Sequence, residues 1–227
     1  MIINIDLKEQ KQIIAESEKF VKKYFKNESS GHDWWHSYRV CQLGKRIGKA
    51  EQGNLFIIEL SALLHDVGDY KFHKGNEEKG IEIIENWLIN LDLSQYYIDS
   101  ILNVVSNISY MKSLRGNEKN LNNNREFMAV SDADRLDAIG AIGIARTFAF
   151  GGLFQRAIYD PEELPKELLT QEDYKNKKTS SINHFYEKLL KLKDTLYTRT
   201  GRDIAQYRHA FMEIFLKQFF NEWNGTD

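Results

Sequence analysis

The stretch LFIIELSALLHDVGD, residues 55–69, decides the fold. Its first ten residues are almost continuously apolar, and such a run predicts a buried helix that ends near Asp66 to Gly68. The helix would deliver His65 and Asp66 side by side at its carboxyl end. Burying two ionisable groups costs free energy unless something compensates them. A divalent metal ion would do so, because imidazole nitrogen and carboxylate oxygen are both metal ligands.

Outside this run, the chain has the pattern of a helical protein. Both prolines, Pro161 and Pro165, fall in one short stretch, and elsewhere apolar residues recur at spacings of three and four. Alternating patterns with hairpin turns are scarce, so the sequence predicts an all-α bundle. Besides residues 55–64, we expect a helix that starts near His32 or Asp33 and extends to about Ile47. Further helices are expected over about 13–25, 77–90, 94–107, 125–150, 182–197 and 203–223.

The length of 227 residues favours a single domain. Two polar stretches, residues 115–124 and 160–181, are expected to be loops. The second is a candidate lid over an active site, although a solvated connector is the more frequent role of such a stretch. Near the C-terminus, apolar residues such as Phe211 and Ile214 are expected to pack internally, with a dimer face as the alternative, so the chain is expected to be a monomer or a homodimer.

The composition excludes several classes of protein. The formal net charge is −2, and the cations form no basic stripe, which argues against a nucleic-acid partner. No apolar run reaches the roughly 18 residues of a membrane span, and residues 1–10 lack the apolar core of a secretory signal. The single cysteine, Cys41, excludes an internal disulfide framework and a Cys-rich zinc site. We therefore expect a cytoplasmic protein without a membrane partner.

Two other regions carry candidate metal ligands. His32 and His36 stand four residues apart, so they share a face on a helix, but no H-E-x-x-H pattern is present. The segment VSDADRLDA, residues 130–138, holds three aspartates. On a helix Asp132 and Asp134 point to roughly opposite sides, whereas Asp134 and Asp137 lie nearer one face.

Taken in order, these residues resemble a known signature. His36, then His65-Asp66, then an aspartate within ADRL at 133–136, are similar to the H…HD…D signature of the HD-domain metal-dependent phosphohydrolases. The strings GHDWWHSYRV (31–40), LLHDVGDYKFHKGNEEKG (63–80) and SDADRLDAIGAIGIART (131–147) look closest to the bacterial YpgQ/YedJ-type branch. The resemblance implies a single HD-type helical domain over residues 1–227, with a metal-binding core over about 20–150 and a C-terminal helical part over about 151–227.

The resemblance also implies a cofactor and a reaction. One divalent ion, manganese, nickel, cobalt or magnesium, would be bound by two histidines and two aspartates: His36, His65, Asp66 and Asp134. The ADRL string is similar to that of HD hydrolases of the (p)ppGpp type and points to Asp134, with Asp132 as the alternative fourth ligand. The family's common chemistry is hydrolysis of phosphate esters or phosphoanhydrides, and in this branch the expected activity is nucleoside triphosphate pyrophosphohydrolysis.

Further roles follow from the neighbourhood of these ligands. Asp69 occupies a position where related HD nucleotidases place an acidic residue that orients water, so it is the candidate general base. Lys71 and His73 are candidates for contacts to phosphate oxygens during catalysis. The candidate substrate-binding residues are His32, Arg39 and Arg135. Asp33 is either a helix N-cap or a catalytic group.

Aromatic residues surround the predicted site in sequence: Trp34, Trp35, Tyr38, Tyr70 and Phe72. They are candidates for stacking on a nucleobase, but core packing is the more frequent role, and the two tryptophans cannot both face inward on a helix. His184 and His209 have no metal-like spacing and are expected to be structural or surface residues.

Two alternatives to the nucleotide pyrophosphohydrolase remain open. One is a hydrolase of another phosphorylated metabolite, such as a nucleoside monophosphate, a cyclic nucleotide or (p)ppGpp. The other is a non-catalytic regulator that binds a metal or a nucleotide. Both share the same metal-ligand pattern, so that pattern does not separate them.

Overall fold

The structure is a computed structural model that describes residues 5–26, 33–68, 76–108, 123–166 and 179–226. Over these ranges the chain forms nine α-helices and two 3-10 helices, and no strand. The helices are α1 (Leu7–Tyr24), α2 (Trp34–Ala50), α3 (Leu55–Leu64), α4 (Glu77–Asn90), α5 (Gln95–Asn107), α6 (Arg125–Asp137), α7 (Gly140–Leu153), α8 (Ser181–Glu187) and α9 (Arg199–Asn224), and the 3-10 helices are His65–Gly68 and Leu189–Thr195. The predicted all-α fold class is confirmed.

The chain divides into two units, Met1–Ala133 and Asp134–Asp227. The division lies within α6, whereas the sequence placed the end of the metal-binding core near residue 150. The first unit contains α1 to α5 and most of α6, and the second contains the end of α6 and α7 to α9. The assignment of the whole chain to one HD-type domain stays a prediction.

The core of the first unit is built around α3, which packs against α1, α2 and α5. Eight of its ten residues are buried. Two glycines let α2 lie close to α3, because a β-carbon at Gly44 would stand 3.3 Å from Ile58, and one at Gly48 would overlap the same side chain. Burying one leucine or isoleucine contributes roughly 1.5–3 kcal/mol, so this helix stabilises the unit that carries the predicted site.

Side-chain caps set the starts of the central helices. Asp33 Oδ1 accepts a hydrogen bond from the His36 N–H at 2.9 Å, so Asp33 is the N-cap of α2. Asn54 Oδ1 accepts from the N–H groups of Phe56 and Ile57 at 3.1 and 3.3 Å and caps α3 in the same way. The start of α2 near Asp33 is therefore confirmed, and the capping role is one of the two that the sequence left open for Asp33.

The predicted continuous helix over residues 125–150 is wrong. The chain forms α6 and α7 instead, with Ile139 in an extended conformation between them. Gly140 then has φ +77°, a left-handed conformation that glycine adopts at little cost, and a β-carbon there would stand 3.0 Å from the Arg208 side chain. Apolar spacing continues through the break, so periodicity alone did not reveal it.

The predicted helix over 182–197 is also interrupted. Helix α8 ends at Glu187, Lys188 has φ −136° and ψ −59°, and a 3-10 helix follows over Leu189–Thr195. Helix α9 begins at Arg199, earlier than expected, because Thr198 caps it through the Gly201 N–H at 2.8 Å. In the second unit, an aromatic cluster joins α7, α8 and α9 through Phe148, Phe185, Phe215 and Phe219.

The two predicted loops are described only at their ends. Residues 123–124, 160–166 and 179–180 contain no helix. The rest, residues 115–122 and 167–178, lies outside the described residues, so the lid over 160–181 stays a prediction. Among the described helices, no single one is long and apolar enough to cross a membrane. Helices α6 and α7 together have sufficient length and apolar composition, but they are bent by 63° relative to each other.

Candidate metal centre

The end of α3 places two ionisable side chains next to each other. The α-helix ends at Leu64, and His65–Gly68 continues as a 3-10 helix. A 3-10 turn is tighter than an α-turn and is common at helix ends. His65 is 7% exposed and Asp66 is 5% exposed, so both groups are held away from bulk water. Their burial is the feature that the apolar run of residues 55–64 predicted.

His36 reaches the same place from α2. It is the third residue of that helix and is 0% exposed. Its Nε2 lies 3.3 Å from His65 Nε2 and 3.3 Å from Asp66 Oδ2, and His65 Nε2 lies 3.4 Å from Asp66 Oδ1. Among the described residues, these three form the group whose ligand atoms all lie within 4.8 Å of one another.

The spacing of these atoms fits a divalent ion. Two donors that each lie about 2.1 Å from an ion stand about 3.0 Å apart at a right angle and about 3.4 Å apart at the tetrahedral angle. The separations of 3.3 and 3.4 Å fall in this interval. The two Asp66 separations end at different carboxylate oxygens, Oδ2 towards His36 and Oδ1 towards His65. The cluster of His36, His65 and Asp66 could therefore hold a metal ion.

A hydrogen bond sets the tautomer of His65. Its Nδ1 lies 2.7 Å from the carbonyl oxygen of Ala62, and a carbonyl oxygen only accepts, so Nδ1 donates. In the neutral ring, Nε2 then presents a lone pair towards the Asp66 carboxylate. Two acceptors at this distance repel each other unless a proton or a cation lies between them, and a backbone carbonyl on the far nitrogen is the usual support of a metal-bound histidine.

The sequence did not predict that the Ala62 carbonyl would orient the His65 ring. Carbonyl groups in the last turn of a helix lack partners within the helix, and a histidine three residues later can supply one. A histidine directly after the end of an apolar helix is therefore the signal that would have indicated this support.

The fourth ligand is not decided by this cluster. Asp132 is 0% exposed and Asp134 is half-buried, and both belong to α6. Asp137, which shares a helix face with Asp134, pairs with Arg146, with 2.8 Å between Oδ2 and Nη1. Asp134 stays the predicted fourth ligand, with Asp132 as the alternative.

Several predicted site residues lie outside the described residues. They are His32, Asp69, Tyr70, Lys71, Phe72 and His73. Their predicted roles therefore stay predictions: Asp69 as general base, and Lys71, His73 and His32 as phosphate or substrate contacts.

The two predicted arginine clamps have different surroundings. Arg39 is half-buried on α2 and follows His36 by three residues, which places it on the same side of that helix. Arg135 is 5% exposed, and its guanidinium donates to the Thr195 carbonyl oxygen and lies 4.7 Å from the centre of the Tyr197 ring. These contacts give Arg135 a structural role inside the second unit, and its substrate role stays a prediction.

The aromatic residues at the start of α2 face away from His36. Trp35 is 60% exposed and Tyr38 is 38% exposed, whereas His36 between them is completely buried. Trp34 is half-buried, and the Lys22 ammonium lies 4.3 Å from the centre of its ring. The two tryptophans do not both face inward, as expected, and Trp35 and Tyr38 are poorly placed to stack on a base held beside His36.

The one cysteine is chemically quiet. Cys41 is buried on α2, and burial, reinforced by the nearby Glu59 carboxylate, raises the pKa of its thiol to about 12. The Lys45 ammonium lies 2.9 Å from Glu59 Oε2, and that hydrogen bond raises the pKa of the lysine. A thiol that stays protonated is a weak metal ligand, which leaves the cluster with nitrogen and oxygen donors.

Comparison with known proteins agrees with this geometry. The family described as HD domain matches residues 34–139, a range that contains His36, His65 and Asp66. The Bacillus subtilis protein YpgQ is 35% identical over 222 residues, which cover 98% of this chain and 97% of YpgQ. The chain belongs to the HD-domain family.

Solved structures support the same assignment. An HD-superfamily hydrolase from Bacillus thuringiensis is 40% identical to this HD-domain protein, with a TM-score of 0.74 and coverage of 95% of this chain and 98% of that one. The crystal structure of B. subtilis YpgQ in complex with ADP is 31% identical, with a TM-score of 0.73 and coverage of 94% and 100%. The resemblance to the YpgQ branch is therefore confirmed, and these relatives support a hydrolase.

Proposed function

We propose that this HD-domain protein is a divalent-metal-dependent nucleoside triphosphate pyrophosphohydrolase. The observation that carries the proposal is the buried cluster of His36, His65 and Asp66, with donor separations of 3.3–3.4 Å. The ADP complex of YpgQ adds a nucleotide as the class of ligand. Since YpgQ and this chain align over nearly their whole lengths, a nucleotide is the first substrate class to test here.

The charge of the cluster suits a phosphate substrate. Two neutral imidazoles and one carboxylate supply a single negative charge, so a divalent ion would leave the site positive. A divalent ion held by these residues would supply Lewis acidity towards phosphoryl oxygen and would make a water molecule more acidic. A further carboxylate at Asp134, the proposed fourth ligand, would neutralise the site, and cations such as Arg39 would then bind the phosphate oxygens.

The protein's own groups keep the donors in place. The Ala62 carbonyl holds the His65 ring through Nδ1 at 2.7 Å, and the Asp33 cap holds the first turn of α2 that carries His36. Positioning of this kind matters because phosphoryl transfer depends mainly on orientation and charge stabilisation. Asp69 would orient and deprotonate the attacking water, and Lys71 and His73 would contact the phosphate oxygens.

The test is turnover on a panel of nucleotides after reconstitution with manganese, nickel, cobalt or magnesium. Pyrophosphate and orthophosphate are assayed separately, and wild type is compared with the double variant His65→Ala, Asp66→Ala. The proposal expects pyrophosphate release that needs metal and falls by at least about 1,000-fold in the variant. Metal binding, measured by calorimetry, should be lost in the same variant.

The matched control is Asp99→Asn, which removes an exposed carboxylate on α5 and should leave metal affinity and turnover unchanged. Release of orthophosphate from a monophosphate, without pyrophosphate release from a triphosphate, would assign the site to another phosphorylated metabolite. Nucleotide binding without turnover across all four metals would contradict the enzymatic proposal and favour a regulator.

A further inference from the structure

The C-terminal helix α9 has an apolar stripe on its outer face. Tyr207 is 81% exposed, Ile214 is 66% exposed, and Ala210 between them is also exposed. With Asp203 and Lys217, these residues follow one another at spacings of four, three, four and three, which is the seam of a helix that pairs with another helix. We call Asp203, Tyr207, Ala210, Ile214 and Lys217 the outer seam.

Among the described residues of the second unit, the face of α9 that packs inward is a different one from the outer seam. The opposite face of α9 supplies the buried residues Ala205, His209, Met212 and Leu216. The outer face of a surface helix in a monomer is usually polar, and a contiguous exposed apolar patch marks an interaction site. Phe211, which flanks the seam and is 49% exposed, widens the patch.

We propose that the outer seam pairs with the same seam of a second copy of this chain, in antiparallel orientation. The argument is charge complementarity. Asp203 lies at one end of the apolar stripe and Lys217 at the other. In an antiparallel pair with its two-fold axis beside Ala210, each Asp203 faces Lys217 of the second copy.

The same register aligns the apolar residues. It places Tyr207 opposite Ile214 of the second copy, and the small side chain of Ala210 lets the two helices approach at the axis. A parallel pair would instead set aspartate against aspartate and lysine against lysine, which is unfavourable. Because a two-fold interface uses one patch twice, a self-complementary stripe needs no second surface.

The size of the patch indicates a weak dimer. From Asp203 to Lys217 the seam is about 21 Å long. The exposed parts of Tyr207 and Phe211 offer roughly 250 Å² of apolar area, given 150–250 Å² for a whole aromatic side chain. Interfaces of standard size bury about 800 Å² on each partner, so this one belongs to the small class, and we expect a dissociation constant in the micromolar range.

The experiment is sedimentation equilibrium of the full chain from about 1 to 200 µM, the concentrations that bracket such an affinity. Wild type should pass from monomer to dimer across this range. Ile214→Glu should raise the dissociation constant at least about 30-fold, because the symmetry places the substituted side chain in the interface twice. Ile89→Glu is the matched control, since Ile89 is 54% exposed on α4 and lies outside the seam.

Charge reversal tests the orientation. Asp203→Lys alone and Lys217→Asp alone should each weaken the dimer, because each sets like charges against each other. The double variant Asp203→Lys, Lys217→Asp should restore dimerisation to within a few fold of wild type. The substituted residues of this and the preceding experiment are all exposed: Asp203, Lys217, Ile214 and Ile89. Circular dichroism should therefore report unchanged folding in every variant.

The outcomes separate this inference from the proposed function, which it does not need. A wild type that stays monomeric to 200 µM would overturn the inference while leaving the metal centre untouched. A dimer that ignores Ile214→Glu, or single reversals that are not rescued by the double variant, would also overturn it.

Discussion

Helices α3 and α9 differ in how much of their surface is exposed to solvent. Helix α3 is ten residues long and has eight of them buried, whereas α9 is 26 residues long and buries five. Directly after α3, the buried polar residues His65 and Asp66 are the exception, and with His36 they form the candidate metal centre. In α9 the apolar groups outside are the exception, and they form the outer seam. In both regions, the two proposals rest on residues whose burial differs from that of their neighbours: buried polar residues after α3 and exposed apolar residues on α9.

The histidine that directly follows α3 and the histidine within α9 give the strongest test of this comparison. His65 and His209 are both 7% exposed, but His209 Nε2 lies 3.0 Å from Lys193 Nζ and 3.3 Å from Glu213 Oε1 rather than among metal ligands. We expect His65→Ala to lower metal affinity and turnover at least about 1,000-fold. His209→Ala should leave both within about threefold, and it should cost about 1–3 kcal/mol of stability because the Lys193 ammonium loses its acceptor.

Metal titration by calorimetry and urea unfolding measure these two effects separately. Equal loss of metal binding in both variants would show that metal affinity depends on a buried histidine in general and not on the cluster of His36, His65 and Asp66.

A second test compares isoleucines. Ile58 in α3 is 0% exposed and lies against α2 at Gly44 and Gly48. Ile214 in α9 is 66% exposed. Ile58→Ala should lower the free energy of unfolding by about 3 kcal/mol, because it removes buried methyl groups and leaves a cavity. Ile214→Ala should change it by no more than about 0.5 kcal/mol. Urea unfolding at low protein concentration measures both without a contribution from dimerisation, and similar losses would contradict the burial difference.

The two aspartates of α6 sharpen the account of the metal centre. We expect Asp134→Asn to weaken metal binding about 30-fold or more, since a neutral amide replaces a charged ligand. Asp132→Asn should leave metal affinity within about threefold and act on stability instead, because Asp132 is completely buried. Calorimetric titration with manganese decides between them, and the reverse pattern would assign the fourth ligand to Asp132.

The smallest predicted effect concerns Cys41. The pKa of its thiol is about 12 in the folded protein against an ordinary value of 9.0. Between these values the unfolded chain releases the thiol proton while the folded chain keeps it, so this contribution to stability is present below pH 9 and is lost as pH rises. Above pH 9, we expect the free energy of unfolding of wild type to fall by about 1 kcal/mol per pH unit relative to that of Cys41→Ala. Parallel unfolding curves of the two proteins from pH 9 to 10.5 would contradict it.

Much of the first unit was readable from local patterns. The apolar run predicted α3, and a start near His32 or Asp33 was predicted for α2, which Asp33 caps. The ranges 77–90 and 94–107 agree with α4 and α5 to within a residue. These signals succeed because caps and apolar spacing act over a few residues. The break before Gly140 was missed, because a left-handed glycine leaves no trace in periodicity.

The sequence by itself determined the residue types of the candidate metal centre: an apolar helix followed by His65-Asp66, and a second histidine at the start of a capped helix. Only the tertiary structure decided that these groups meet. His36 and His65 are 29 residues apart, yet their Nε2 atoms lie 3.3 Å apart. The physical reason is the close approach of α2 to α3 at Gly44 and Gly48, a long-range contact that no local pattern specifies. For Phe211 and Ile214 the sequence left internal packing and a dimer face open and favoured internal packing, whereas the fold leaves them 49% and 66% exposed.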